Sequence, residues 1–513
     1  MTTLPMIAGM SPTTRRALVT ACTMSATIMQ ALDATVANVS LPYMQGSLSA
    51  SLDQINWVLT SYIVAAAIMT APVAWMADRF GRKRVFVVCA IGFTVASLLC
   101  ALAQDITSIV AARLLQGAFG AALVPLSQSV MLDSYPPEQR GSAMAIWGMG
   151  VMLGPILGPA IGAFLTDHYS WHWVFLINLP IGAVTVIGLL LFLEESKTQT
   201  HLRFDWFGFA ALAIGIGALQ LILDRGEQVG WFGSTEIIIE AIVSVAGFYY
   251  FFAHSLTTDE PFVRFEVFKD RNFLAGCLFM AVVGMGLFGT MALVTPFTQQ
   301  LLGYPIMTAG LVLGSRGVGT LIAMLMVGRL LKYFEARTMV LVGLVLMAGT
   351  LYQMIGFTNY TSTRTIVTVG VFQGAGIGFV FVALSTASFT TLPNHLRTSG
   401  TALLTLIRNL GSAGGISLMI SNLTGKTSEM HARLVEHITP FNDALRQAGA
   451  LIDINTDQGR AVLDGIVTQQ ASVIAYQNDF MLLMILTLAT MPFVLFIGTT
   501  RTTRPPSAAH VEI

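Results

Sequence analysis

Charge is what this sequence has least of. Asp, Glu, Lys and Arg make up 11% of its 513 residues, 27 of each sign, against 54% hydrophobic residues. With a mean hydropathy of +0.71, a soluble globular chain of this length is excluded and a polytopic membrane protein is indicated. Cysteine is also scarce: Cys22, Cys89, Cys100 and Cys277 lie inside apolar runs, without metal-ligand spacing or a loop-stapling pattern, and read as small core residues. His201, His254, His395 and His437 are scattered, no His-Glu-x-x-His occurs, and no phosphate-cradling glycine loop ends in Lys-Ser or Lys-Thr. An embedded enzyme would need a nucleophile with a base, or clustered ligands, so neither catalysis nor ATP hydrolysis is expected of this chain. No metal, organic cofactor or nucleic acid partner is expected. Residues 1–16 lack the apolar core and cleavage site of a signal peptide, so the first helix is expected to act as an uncleaved insertion signal.

What is abundant is long apolar runs. Fourteen are long enough to span a bilayer: 17–42, 56–77, 85–103, 107–132, 141–165, 172–193, 205–223, 236–253, 273–296, 308–331, 338–357, 364–391, 399–421 and 479–499. Lys and Arg fall almost wholly in one set of loops, from Arg15 and Arg16 through Arg79, Arg82, Lys83, Arg84 and Arg140 to Arg501 and Arg504. The short loops of the other set hold only Arg225 and Arg364. The positive-inside bias puts both termini in the cytoplasm.

Asp33 sits inside the first run, in Leu32-Asp33-Ala34-Thr35-Val36-Ala37-Asn38-Val39. A carboxyl at the bilayer centre costs about 2.5–3.5 kcal/mol on insertion scales, so it normally faces a partner or a water cavity and marks an ion or substrate path. The plainer reading is that it reaches interfacial water from near the helix end; Thr35 and Asn38 on the same helix favour the cavity. Arg113, Arg316 and Arg408 also lie inside spans. Snorkelling is the weaker account for Arg113 and Arg408, and Asp33 is the candidate partner for Arg113.

The chain repeats itself. Gln116-Gly117, Pro136, Arg140, Gly154 and Gly158 recur as Gln373-Gly374, Pro393, Arg397, Gly411 and Gly415, all at an offset of 257. The expected division is a six-helix bundle over 1–195, two linking spans in 196–270, and a second six-helix bundle over 271–513. Residues 422–478 are expected to form a polar outer loop, with helix-like spacing at Leu434, Ile438, Phe441 and Leu445 around a Thr439-Pro440 break.

Two stretches call for more than topology. After the second run comes Asp78-Arg79-Phe80-Gly81-Arg82-Lys83, where a carboxylate beside a tight turn can hold a neighbouring helix in one state and release it in another. In the fifth run Gly150, Gly154, Gly158 and Gly162 recur every four residues, with Pro155 and Pro159 between. Such a stripe lets a second helix approach closely, while prolines bend the span.

These motifs resemble the major facilitator superfamily: Asp78 to Lys83 its loop motif, Arg113-Leu114-Leu115-Gln116-Gly117 its fourth-span motif, and Gly150 to Gly162 the fifth-span motif of its antiporters. The Asp33 stretch with Pro42, Trp57, Thr60 and Tyr62, the run from Trp171 to Gly182, and Leu223-Asp224-Arg225-Gly226 are similar to the fourteen-span drug:proton antiporters. Pro125-Leu126-Ser127-Gln128-Ser129, Tyr135-Pro136-Pro137 and the long outer segment look most like the EmrB type. Ala74, Met76 and Ala163 depart from the motifs, and Lys332 stands where a second-half loop motif would carry its aspartate.

The resemblance implies an all-α major facilitator fold and a proton-driven multidrug exporter of lipophilic compounds in the cell inner membrane. Asp33 and Arg113 would be the coupling pair. It further implies a periplasmic adaptor of the EmrA type and an outer-membrane channel of the TolC type. Thr35, Asn38, Gln116 and Arg408 are the expected cavity residues, and Asp78, Arg79, Gly81 and Arg82 the gate. Burial disfavours a charged carboxyl and a nearby guanidinium favours it, so a small movement of Arg113 would swing protonation of Asp33. A proton-coupled importer or facilitator of a small polar nutrient would share the fold, but would call for more polar residues in the spans.

Overall fold

The computed structural model describes residues 11–196, 198–199, 201–258, 261–438 and 456–498. Among them there is no strand. Thirteen helices are long and apolar enough to cross a membrane, and a bent pair makes a fourteenth span. The first six spans are α1 (Pro12–Ser47), α2 (Leu52–Thr70) with α3 (Val73–Phe80), α4 (Arg82–Ala101), α5 (Ile106–Gly120) with α6 (Leu123–Ser134), α7 (Arg140–His168), and α8 (Trp173–Leu176) with α9 (Asn178–Phe192). Two more follow, α10 (Trp206–Arg225) and α11 (Thr235–Thr257). The last six are α12 (Arg271–Pro296), α13 (Ile306–Leu330), α14 (Ala336–Ile355), α15 (Thr363–Thr390), α16 (Arg397–Glu436) and α17 (Asp457–Thr490).

Local chemistry sets many of the ends. Ser51 and Gln54 form a reciprocal cap on α2, as Asp105 and Ser108 do on α5, satisfying amide groups that a helix start leaves open. Pro72 lies in the break of the second span, where α2 and α3 meet at a bend of 53°. Pro125 sits just past the break between α5 and α6; its ring brings no N–H and crowds the carbonyl four residues back.

The packing repeats. α1 rests on α7 and α9 as α12 rests on α16 and α17; α2 and α4 flank α5 as α13 and α14 flank α15. Between the two sets, α7 packs on α13 and α15, while α16 packs on α2, α3 and α6. The repeated glycines make these contacts possible. A Cβ on Gly154 would lie 2.2 Å from the backbone of Ala31, and one on Gly158 2.0 Å from Thr35 Oγ1. Their counterparts Gly411 and Gly415 meet the backbone of Ala281 at 2.4 Å and of Met285 at 2.6 Å. α10 lies against both α2 and α16.

One expectation is corrected. Most of 422–478 is not a loop: α16 continues from its span to Glu436, and α17 begins at Asp457. The two extensions are joined by His431 Nε2 and Asp464 Oδ1 at 2.9 Å. Hydropathy marks where lipid contact ends, whereas backbone hydrogen bonding carries a helix on into water. Leu434 lies on α16; Thr439, Pro440, Phe441 and Leu445 lie outside the described residues.

Candidate functional site

Asp33 lies in α1 and is 2% exposed; Arg113 of α5 is fully buried. Arg113 Nη1 donates to Asp33 Oδ2 at 2.8 Å and to Gln116 Oε1 at 2.7 Å, and its Nε donates to the Val58 carbonyl at 3.0 Å. Gln116, one turn on from Arg113, donates to Asp33 Oδ1 at 2.8 Å and to Ser97 Oγ at 3.1 Å. Asn178, at the start of α9, donates to the same two oxygens at 2.8 and 2.9 Å. The guanidinium lies 4.2 Å from the Tyr62 ring centroid and 5.6 Å from that of Phe175, a favourable placement for a desolvated cation. Three donors face the carboxylate, the set an ionised form takes up. Oδ1 accepts two of these hydrogen bonds and Oδ2 one, so one lone pair of Oδ2, on the side of the carboxylate that meets the guanidinium, is not taken up by a donor among the described residues.

Asn178 and Ser97 belong to this cluster although their chemistry was not assigned from the sequence. The available signal was a polar side chain within an apolar run. The other expected cavity residues are placed elsewhere. Thr35 Oγ1 bonds the Gly154 carbonyl at 2.9 Å, in the interface between α1 and α7. Asn38 is exposed and in the next turn toward the end of α1. Arg408, in α16, is half-buried, and its hydrogen bond goes to Asn409 Oδ1 at 3.3 Å.

The second half keeps the amide and drops both charges. At the repeat offset, Asp33, Arg113 and Gln116 correspond to Thr290, Gly370 and Gln373. Gln373 Nε2 donates to Thr290 Oγ1 at 3.4 Å, in place of an acid.

At the other end of the first half, Asp78 meets Arg264, which follows α11, at 3.3 Å, and the Asp78 carbonyl accepts from the Gln199 amide at 2.8 Å. Gly81 has φ of +94°, and a Cβ there would lie 2.3 Å from Glu195 Oε1. Glu195 accepts from the amides of Lys83 and Arg84 at 3.0 and 3.3 Å, and Ser196 Oγ from that of Arg82 at 3.0 Å. The start of α4 is thus capped by the segment leaving α9. Arg82 pairs with Asp133 of α6, whose second oxygen binds Arg397 Nη1 of α16 at 2.7 Å. Arg79 is partly buried, and its Nη1 has no hydrogen-bond partner among the described residues. In the fifth span Gly162 approaches Val36 of α1, and Gly150 the end of the Met24 side chain; Pro155 and Pro159 lie within α7 without breaking it.

Two packed sets of six helices, an acid buried against an arginine, and a seam between the sets define a multi-pass membrane transporter. Residues 23–416 match the Major Facilitator Superfamily, and the chain belongs to that family. It is a transporter and not an enzyme. It is 36% identical over 419 residues to the multidrug export protein EmrB of Escherichia coli K12, covering 81% of this chain and 82% of that one. It is 32% identical over 473 residues to the fatty acid resistance protein FarB of Neisseria gonorrhoeae, covering 91% and 93%. The fold is similar to the proton:xylose symporter XylE, with a TM-score of 0.59 at 13% identity over 94% of this chain and 97% of that one.

Proposed function

We propose that this protein exports lipophilic drugs or toxic compounds across the cell inner membrane in exchange for protons, with both termini in the cytoplasm. The relatives named for multidrug export and fatty acid resistance support the substrate class, and the Asp33 cluster supports the coupling. Asp33 takes a proton from the outer side, which cancels its charge and loosens its hold on Arg113. The bundles 1–195 and 271–513 rock about the seam, and the proton leaves inside as the drug leaves outside. The link 196–270 follows the first bundle. One proton moving down the membrane potential supplies about 2.3 kcal/mol per 100 mV before any pH gradient is added. The chemical driver is the proton gradient, with no other cofactor. A periplasmic adaptor of the EmrA type and an outer-membrane channel of the TolC type complete the export path, with the α16 and α17 extensions as the surface that meets the adaptor.

The observation that carries this reading is the Asp33–Arg113 contact of 2.8 Å inside a fully buried polar cluster. The test is reconstitution into liposomes with an imposed pH gradient, comparing the native chain with Asp33→Asn. Gradient-driven accumulation of a lipophilic dye is expected in the native chain and not in the variant. Equal accumulation in both removes Asp33 from the coupling role, and uptake in the direction of proton flow makes the protein an importer.

A further inference from the structure

Arg113 has a carboxylate; Arg316 has none. Arg316 lies in α13 and is 7% exposed. Its hydrogen bond goes from Nη1 to the Leu287 carbonyl of α12 at 3.3 Å, and among the described residues it forms no ion pair. A guanidinium offers five N–H donors, so most of its capacity is unused. A cation inside a membrane span is normally paired or turned toward a substrate or water path.

Arg316 does face a space. It lines a partly enclosed cavity of about 20 Å³ with Met152 and Ile156 of α7, Met291 of α12, and Leu313 and Thr320 of its own helix. The Thr320 hydroxyl is taken up by the carbonyls of Arg316 and Gly374. The guanidinium is left as the polar group with donors to spare on an otherwise apolar wall. The cavity lies on the seam between the two six-helix sets: a Cβ on Gly317 would come within 2.2 Å of the Ile156 side chain. A volume of this size holds about one water, so in this conformation it admits neither a headgroup nor a drug, and a ligand enters only as the seam opens. Met152 and Met291 are unbranched and can repack around an apolar body as the seam opens.

We propose that Arg316 is an anion subsite that binds the ionised acid group of lipophilic organic acids, with their apolar part along Met152, Ile156 and Met291. The inference rests on the export reading above and specifies part of its substrate range. Recognition here is charge plus fork geometry, since a guanidinium meets a carboxylate with two parallel hydrogen bonds. A neutral ester of the same acid keeps the apolar contacts and a carbonyl acceptor but loses the charge and the paired fork.

The probes are 1-pyrenebutyrate and its methyl ester, with binding followed by fluorescence on the purified full chain in detergent and transport followed in proteoliposomes. The native protein is expected to bind the acid about tenfold or more tightly than the ester. Arg316→Gln is expected to abolish that preference while leaving ester binding unchanged, which also reports that the variant is folded. Arg316→Lys, which keeps the charge and loses the fork, is expected to restore part of the preference. A native protein without preference for the acid overturns the inference, as does a preference that survives in Arg316→Gln. A native protein that binds the acid through Arg316 yet moves neither probe overturns the export reading and leaves the subsite standing.

Discussion

Asp133 and Arg397 belong to different halves of the chain and are joined by an ion pair of 2.7 Å. The other oxygen of Asp133 holds Arg82 of its own half, and Ser129 meets Thr398 across the same seam at 3.1 Å. One carboxylate therefore ties the loop after the second span to the start of α16. In the rocking motion proposed above, the halves would have to part at this contact.

The Ser129–Thr398 approach offers a direct test. The cysteine pair Ser129→Cys and Thr398→Cys is expected to form a disulfide on mild oxidation, because the side-chain oxygens are 3.1 Å apart. The native cysteines are all buried and unpaired, and leave the chemistry clean. Oxidation should stop gradient-driven transport in proteoliposomes and a reductant should restore it. Transport that continues in the cross-linked protein shows that the seam does not open there.

Arg113 acts through geometry as well as charge, since its Nε and Nη1 reach three acceptors on three helices. Lysine is a point charge without that fork. Arg113→Lys is expected to leave a folded protein whose proton-driven transport falls about tenfold or more, the loss of one or two charge-assisted hydrogen bonds. Comparison of transport rates with detergent melting curves separates this from simple unfolding.

The glycine stripe is not uniform, and substitutions should show it. A Cβ on Gly154 would strike the Ala31 backbone at 2.2 Å, whereas on Gly150 it would meet the mobile end of Met24 at 2.7 Å. Gly154→Ala is expected to cost about 1–3 kcal/mol by forcing α1 and α7 apart. Gly150→Ala should cost less than about 1 kcal/mol, because that side chain can turn aside. Thermal denaturation followed by size-exclusion chromatography ranks the two; equal shifts in Tm refute the account.

Gly81 carries both a positive φ and a close neighbour. Gly81→Ala is expected to add about 1–3 kcal/mol of backbone strain and to displace Glu195 from the amides at the start of α4. Glu195→Gln, which keeps an acceptor oxygen, should be milder than Glu195→Ala. Melting temperatures of the three variants check the order.

Much of the site was legible from the sequence in outline. An acid and an arginine each stand out in an apolar run, because lipid tolerates neither alone, so Asp33 and Arg113 were natural partners before any contact was known. Gln116 follows from its place one turn after Arg113. Asn178 did not, although it donates to the same carboxylate from a position 145 residues along the chain. Thr35 went the other way: its hydroxyl suggested a cavity, and the structure spends it on the Gly154 carbonyl. A polar side chain on a helix can face any direction, and only the rotation of that helix against its neighbours decides which.

The sequence by itself determined the membrane class, the family, the helical spans, the repeat, and the presence of a buried charge in need of a counter-charge. Those properties are written residue by residue, in hydropathy and in the energetic cost of an unpaired ion in hydrocarbon. Tertiary structure decided which faces meet: the third partner of Asp33, the Asp133 clamp between halves, the continuation of α16 beyond its apolar run, and the solitary position of Arg316 on the seam. Each depends on how whole helices tilt and turn against one another, which no local stretch of sequence encodes.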